Sequence, residues 1–312
     1  MTTTQPNASF APGASLDLGL QLATKRKSQL RLIGERFLRN KVSVFGLCVL
    51  IIIALGVILA PVLAPGTKTY DPTTTPDLAI RFQGPTLHHL LGADYIGRDE
   101  FARLLYGGRV SMEVGFAVAI ISVIIGVVVG AVAGFYGGWV DTIMMRITDA
   151  LLSVPLLLIL IVLSKSFGNG KISDVVIIIS AFEWLILARI VRGEFLALKE
   201  REFLLAARTL GASNVRLMFR HILPNAIGPI VVGGTLAVGD AILIESTLSF
   251  FGFGINPPTP SWGNMVNDAQ GFLSSDALLA VLPGLAILVT VLCVNLMGDG
   301  LRDSLDPYMT QR

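Results

Sequence analysis

Six blocks of nearly uninterrupted apolar residues constrain this chain more than anything else in it. They fall at about 42–64, 110–135, 143–163, 175–191, 226–250 and 277–297. Each has roughly the length of 17–25 residues that a helix needs to cross a hydrocarbon layer at about 1.5 Å per residue. The blocks are continuous rather than alternating, which selects helices over barrel strands, because in lipid a chain must satisfy its own backbone hydrogen bonds. Composition agrees: 53% of the 312 residues are hydrophobic and 15% charged. The fold class predicted is an all-α polytopic membrane protein with six transmembrane helices. Val175–Val191 is the shortest block and carries Glu183 and Arg189. The first block begins some forty residues in, is too long for a secretory signal and lacks a convincing cleavage pattern, so it reads as a retained anchor.

Charge sets the orientation. Six spans put both termini on one side. That side collects Lys25, Arg26, Lys27, Arg31, Arg36, Arg39 and Lys41, then Arg146, then Arg189, Arg192, Lys199, Arg201, Arg208, Arg216 and Arg220, and finally Arg302 and Arg312. The opposite side holds far fewer of the 24 basic residues, mostly Lys68, Arg81, Arg98, Arg103 and Arg109 in one loop. Positive charge marks the cytoplasmic face. The division predicted is a cytoplasmic tail at 1–41 (disordered over 1–24), a first span at 42–64 and an extracytoplasmic loop at 65–109. A helical core follows at 110–300 with a cytoplasmic loop at 193–222, then a cytoplasmic tail at 301–312.

That cytoplasmic loop contains the most informative motif, Arg201-Glu202-Phe-Leu-Leu205-Ala206-Ala207-Arg-Thr-Leu-Gly211-Ala-Ser213 through Leu223-Pro224. It has helical period and turn punctuation. Gly211 suits the position just past a helix end, Ser213 the cap of a second helix, and Pro224 its close. Ala206, Ala207 and Gly211 leave one side of the bend nearly bare, so another surface can approach the backbone.

The motif resembles the EAA loop of the membrane subunits of ATP-binding-cassette (ABC) importers, whose pattern is Glu-Ala-Ala, three residues, Gly, then Leu-Pro thirteen residues past the Gly. Ala206, Ala207, Gly211, Leu223 and Pro224 match it. Leu205 stands where the family has Glu, and the nearest carboxylate is Glu202, one turn earlier. Two further patches are similar to the C-type permease subunit of the dipeptide/oligopeptide importers, a branch with nickel and glutathione permeases in it. One runs from Leu90 through Gly97-Arg98-Asp99 to Ser111. The other runs from Glu245 through Gly252, Gly254 and Pro257-Pro258 to Ser261-Trp262-Gly263. The resemblance covers about residues 40–305. It implies a type I ABC importer permease-like core of five helices plus an N-terminal helix. The partners it implies are a second permease subunit, two ATPase subunits holding ATP and Mg, and an extracytoplasmic substrate-binding protein. The coupling residues would be Glu202, Leu205, Ala206, Ala207, Gly211, Leu223 and Pro224. Arg98 and Asp99, paired on a short surface helix, and Trp262, anchored at the membrane interface, would either face the binding protein or serve as scaffold.

Within the spans, Gly126, Gly130 and Gly134 form a small-residue face for close helix packing. Pro155 and Pro283 predict kinks. Ionisable residues at hydrocarbon depth are costly and therefore telling. Glu183 and Asp240 are expected to face water or protein, as pathway groups or as bonds to neighbouring helices. Glu245 reads as structural, and Arg146 and Asp149 as an i,i+3 salt bridge. Cys48 and Cys293 read as apolar packing residues, and His88-His89 as an exposed loop pair.

Catalytic signatures are missing. Gly168-Asn-Gly170-Lys171-Ile172 ends in Ile and lacks a glycine at 165, so it is no phosphate cradle. Neither a Gly-x-Ser-x-Gly elbow nor a His-Glu-x-x-His occurs. The chain is expected to be no enzyme and to bind no cofactor itself. The basic loop lacks interleaved stacking aromatics, which argues against nucleic acid. An autonomous secondary transporter using Glu183 and Asp240 as a relay is the competing class, without the internal repeat it would lead one to expect. The location expected is a bacterial or archaeal cell membrane.

Overall fold

The computed structural model describes residues 29–65, 71 and 73–305. The tail expected to be disordered over 1–24 and the C-terminal residues from 306 onward lie outside the described residues. Apolar sequence becomes helix almost throughout, and no strand forms among the described residues. In order, the helices are α1 Gln29–Arg39, α2 Lys41–Ile58, α3 Ala60–Leu63, α4 Glu100–Tyr136, α5 Gly138–Leu152, α6 Leu156–Phe167, α7 Ile172–Lys199, α8 Glu202–Thr209, α9 Asn214–Arg216, α10 Ile227–Phe250, α11 Trp262–Ala269 and α12 Leu278–Leu305.

Helices α2, α4, α10 and α12 are each long and apolar enough to cross a membrane. Among the described residues the expected count of six is not reached on length and composition. The block at 143–163 is not one rod: it breaks between α5 and α6, whose axes meet at 83°, and counted as one span the pair would make five. Pro155 sits at the break as the cap of α6. Its ring removes a backbone donor and clashes with the preceding turn, so the proline expected to kink a span ends a helix instead. Pro283, by contrast, lies within a continuous α12. Helix α7 is long enough to span, but Asp174, Glu183, Arg189 and Arg192 punctuate it.

The core is organised around α4, which at 37 residues is about 55 Å long and therefore projects well beyond hydrocarbon of about 30 Å. Its glycine stripe lies on α7. A β-carbon at Gly126 would stand 3.0 Å from the Leu187 β-carbon, and one at Gly134 2.7 Å from the Arg192 carbonyl; Gly130 meets the Ala188 carbonyl. With no hydrophobic effect between helices in lipid, this backbone approach supplies dispersion contact that larger side chains would prevent. Helix α10 then packs on α4 and α12, and α2 on α12. Cys293 is buried where α12 meets Gly46 of α2, while Cys48 is exposed; both are free thiols.

Candidate functional site

At the basic end of the bundle, α7 gives way to the α8–α9 bend. Helix α8 stops in a Schellman turn. Gly211 has φ +82, its N–H donates to the Arg208 carbonyl (3.0 Å), and the Ala212 N–H donates to the Ala207 carbonyl (3.1 Å). Both bonds satisfy carbonyls that the helix end would orphan, and only a left-handed residue makes them together. Ser213 caps α9, accepting from the Arg216 N–H. A π-helical turn, Leu217–Ile222, leads on to Pro224 and α10.

One face of this bend is welded to the bundle. Leu204, Leu217, Met218 and Ile222 are buried against Val191 and Phe195 of α7 and Ala131 of α4, with Ala207 and Leu223 packed alongside. The other face is open and apolar: Phe203, Leu205, Val215 and Phe219 are exposed, and Leu210 is 89% exposed. Exposed arginines 201, 208, 216 and 220 border it. No atom lies within 4 Å of where a β-carbon of Gly211 would stand. The seven expected coupling residues therefore divide. Glu202, Leu205, Ala206, Gly211 and Pro224 are exposed; Ala207 and Leu223 pack inward and hold the bend.

On the opposite end, loop and helix are locked together by charge. Asp94 accepts from Arg98 Nε (2.6 Å) and Arg103 Nη1 (2.5 Å), and Asp268 of α11 accepts from Arg98 Nη2 (3.2 Å) and Arg103 Nη2 (3.0 Å). Asp99 caps α4 through the Ala102 N–H (2.8 Å) and shares a hydrogen bond with His89 Nδ1 (2.7 Å). Trp262 is buried, its Nε1 donating to the Leu104 carbonyl at 2.9 Å. These positions correct four expectations. Of the two roles left open for Arg98, Asp99 and Trp262, burial of all three favours that of scaffold. Trp262 is no interface anchor. Arg98 pairs with Asp94 and Asp268 rather than with Asp99, and the supposed surface helix is the first part of α4. His89 is a partner of Asp99, while His88 is exposed. Glu245 is structural, as expected: fully buried, it accepts from Ser111 (2.9 Å) and Ser249 (2.8 Å), tying α10 to α4.

Midway along the bundle, Glu183 of α7 is half-buried and Asp240 of α10 exposed. Among the described residues neither makes a hydrogen bond or ion pair within the chain. Glu183 lines a recess of about 310 Å³ beside the α5–α6 break. The Arg146–Asp149 pair does not form as expected; Asp149 binds Arg189 of α7 at 2.5 Å. Arg192 holds Asp141 through both Nε and Nη2, the latter at 2.6 Å. Helix α5 is thereby fastened to α7 by two ion pairs.

Comparison with known proteins decides what bundle this is. Residues 126–311, more than half of the chain, match the family described as the binding-protein-dependent transport system inner membrane component. The chain belongs to that family. Residues 28–85 match the N-terminal transmembrane domain of oligopeptide transport permease C. The dipeptide transport system permease protein DppC of Haemophilus influenzae is 39% identical over 284 residues, 88% of this chain and 93% of that one. DppC of Alkalihalophilus pseudofirmus is 39% identical over 271 residues, 87% of each. A putative peptide permease protein of Brucella ovis is 41% identical over 279 residues, 88% of this chain and 89% of its own.

In this transport component, sequence reasoning missed Phe203, Leu210, Val215 and Phe219 at the open face and Asp94, Arg103 and Asp268 at the far end. The first group carried a signal: Leu210 falls outside the inward register set by Leu204 and Ala207 along one helix face. Asp268 carried none, because its partners lie 165 and 170 residues away.

Proposed function

We propose that this chain is the C-type permease subunit of an ATP-driven importer of peptides, with its termini and the α8–α9 bend in the cytoplasm. The observation that carries the reading is the bend itself: an apolar, arginine-bordered face, open on one side and set into the bundle on the other. A second, homologous permease subunit completes the pathway. Two ATPase subunits, which bind ATP and Mg and carry out hydrolysis, engage the open face, and a binding protein delivers cargo on the other side. Leu204, Leu217 and Ile222 join the bend to α7 and α10 without a slack segment. Displacement of the bend on ATPase closure therefore moves both helices as levers, and the two α5–α7 ion pairs carry α5 with them. Peptides are the cargo proposed, supported by the names of the relatives and the breadth of the match.

Topology tests this reading. Thr73 is buried and a poor reporter, whereas Leu87 is 95% exposed. In a variant freed of Cys48 and Cys293, an impermeant maleimide applied to intact cells should label Leu87→Cys and spare Ser213→Cys until the membrane is opened. The reverse pattern would place the bend outside and remove the coupling role.

A further inference from the structure

The break between α5 and α6 creates a chemical environment that an unbroken span would not have. Pro155 has no N–H to offer the Leu151 carbonyl four residues back. Ser153 closes two of the remaining bonds, its N–H to the Asp149 carbonyl (3.0 Å) and its hydroxyl to the Ala150 carbonyl (2.7 Å). Leu158 and Ile159 both donate to the Pro155 carbonyl, occupying N–H groups at the start of α6. Leu151 and Leu152, which end α5 at the partial negative pole of that helix, both line the recess of about 310 Å³.

Glu183 stands across it. Its carboxylate is the one ionisable group lining the recess, and it has no hydrogen-bond or ion-pair partner among the described residues. Glu183 lies 11 residues into α7, about 17 Å along a helix long enough to cross the hydrocarbon and so near its middle. A carboxylate at that depth is costly to insert unless something polar or cationic meets it. The Arg189–Asp149 pair, six residues further along α7, holds the end of α5 against the helix that carries Glu183.

We propose that this recess receives the protonated α-amino group of the peptide in transit, with Glu183 as counter-ion and the α5 carbonyl end as additional acceptor. The proposal rests on the peptide-import reading. A primary ammonium has three donors and needs several acceptors, and a carboxylate across from the end of a helix is suited to it. A divalent metal would demand about six oxygen ligands, more than one carboxylate side chain can anchor. Among the described residues no lysine or arginine lines the recess, so the peptide's terminal carboxylate is held elsewhere. Asp240, exposed on α10, does not line the recess, but its negative charge acts on Glu183 and adds to the demand for a cation there.

The test compares a free dipeptide with its N-acetylated form, using one binding protein throughout and the full complex in proteoliposomes. Glu183→Gln should reduce ATP-driven uptake of the free peptide about tenfold or more, the weight of a lost charge-assisted contact. Uptake of the acetylated peptide and ATPase activity should stay unchanged, and Glu183→Asp should recover part of the loss. Should Glu183→Gln not assemble, Ile186→Phe, which fills the recess, should give the same selective loss. Equal loss for both peptides, or no loss for either, overturns the proposal. A wild-type complex that moves neither peptide under ATP overturns instead the peptide-import reading beneath it.

Discussion

Gly211→Val is expected to leave the chain inserted and assembled while abolishing ATP-driven uptake. The residue sits at φ +82, where a β-branched side chain costs on the order of 1–2 kcal/mol, and the two bonds of the Schellman turn depend on it. Nothing crowds the position, so the penalty falls on the angle between α8 and α9 rather than on the bundle core. Gly211→Ala, with the same conformational demand and a smaller side chain, should be intermediate. Leu210→Asp should give the same phenotype by another route, placing charge on the open apolar face. Ala207→Asp is the weaker probe, because Ala207 packs inward and its loss would disturb the core. The check is uptake alongside co-purification of the partner subunits. Normal uptake by both Gly211→Val and Leu210→Asp would remove the coupling assignment.

Asp94→Ala should be the most damaging single change at the far end. It leaves Arg98 and Arg103, both less than a tenth exposed, with Asp268 as their remaining salt-bridge partner. Removing one partner from a buried ion pair costs about 3–5 kcal/mol, since the desolvated charge stays behind. Asp268→Ala should cost less: its bonds are longer, at 3.0–3.2 Å, and its side chain is more exposed. Thermal unfolding of the purified complex reads both. Equal shifts, or a larger one for Asp268→Ala, would contradict this ranking.

Where local chemistry decides, the sequence spoke clearly. Apolar blocks became α2, α4, α10 and α12, the glycine stripe found a helix, and Gly211 and Ser213 took the terminal and capping positions their side chains favour. Where distant packing decides, it was silent. Pro155 marked a disturbance, but the 83° bend depends on how α5 is fastened to α7. Helix α4 begins ten residues before its apolar block because Asp99 caps it and buried arginines support a polar first part. Trp262 looked like an interface residue because its indole is amphipathic; its N–H is instead satisfied inside, by the Leu104 carbonyl. Ala206 and Ala207, adjacent and identical in type, differ in that the first is exposed and the second packs against the bundle, which shows only once α8 is docked.

The claim that the α8–α9 bend is the contact with the ATPase is tested most directly by cross-linking within the assembled complex. With Leu210→Cys and a short bifunctional reagent, the bend should join to an ATPase subunit and ATP-driven uptake should stop, whereas Leu87→Cys should yield no such product. An ATPase cross-link from Leu87→Cys and none from Leu210→Cys would contradict the account.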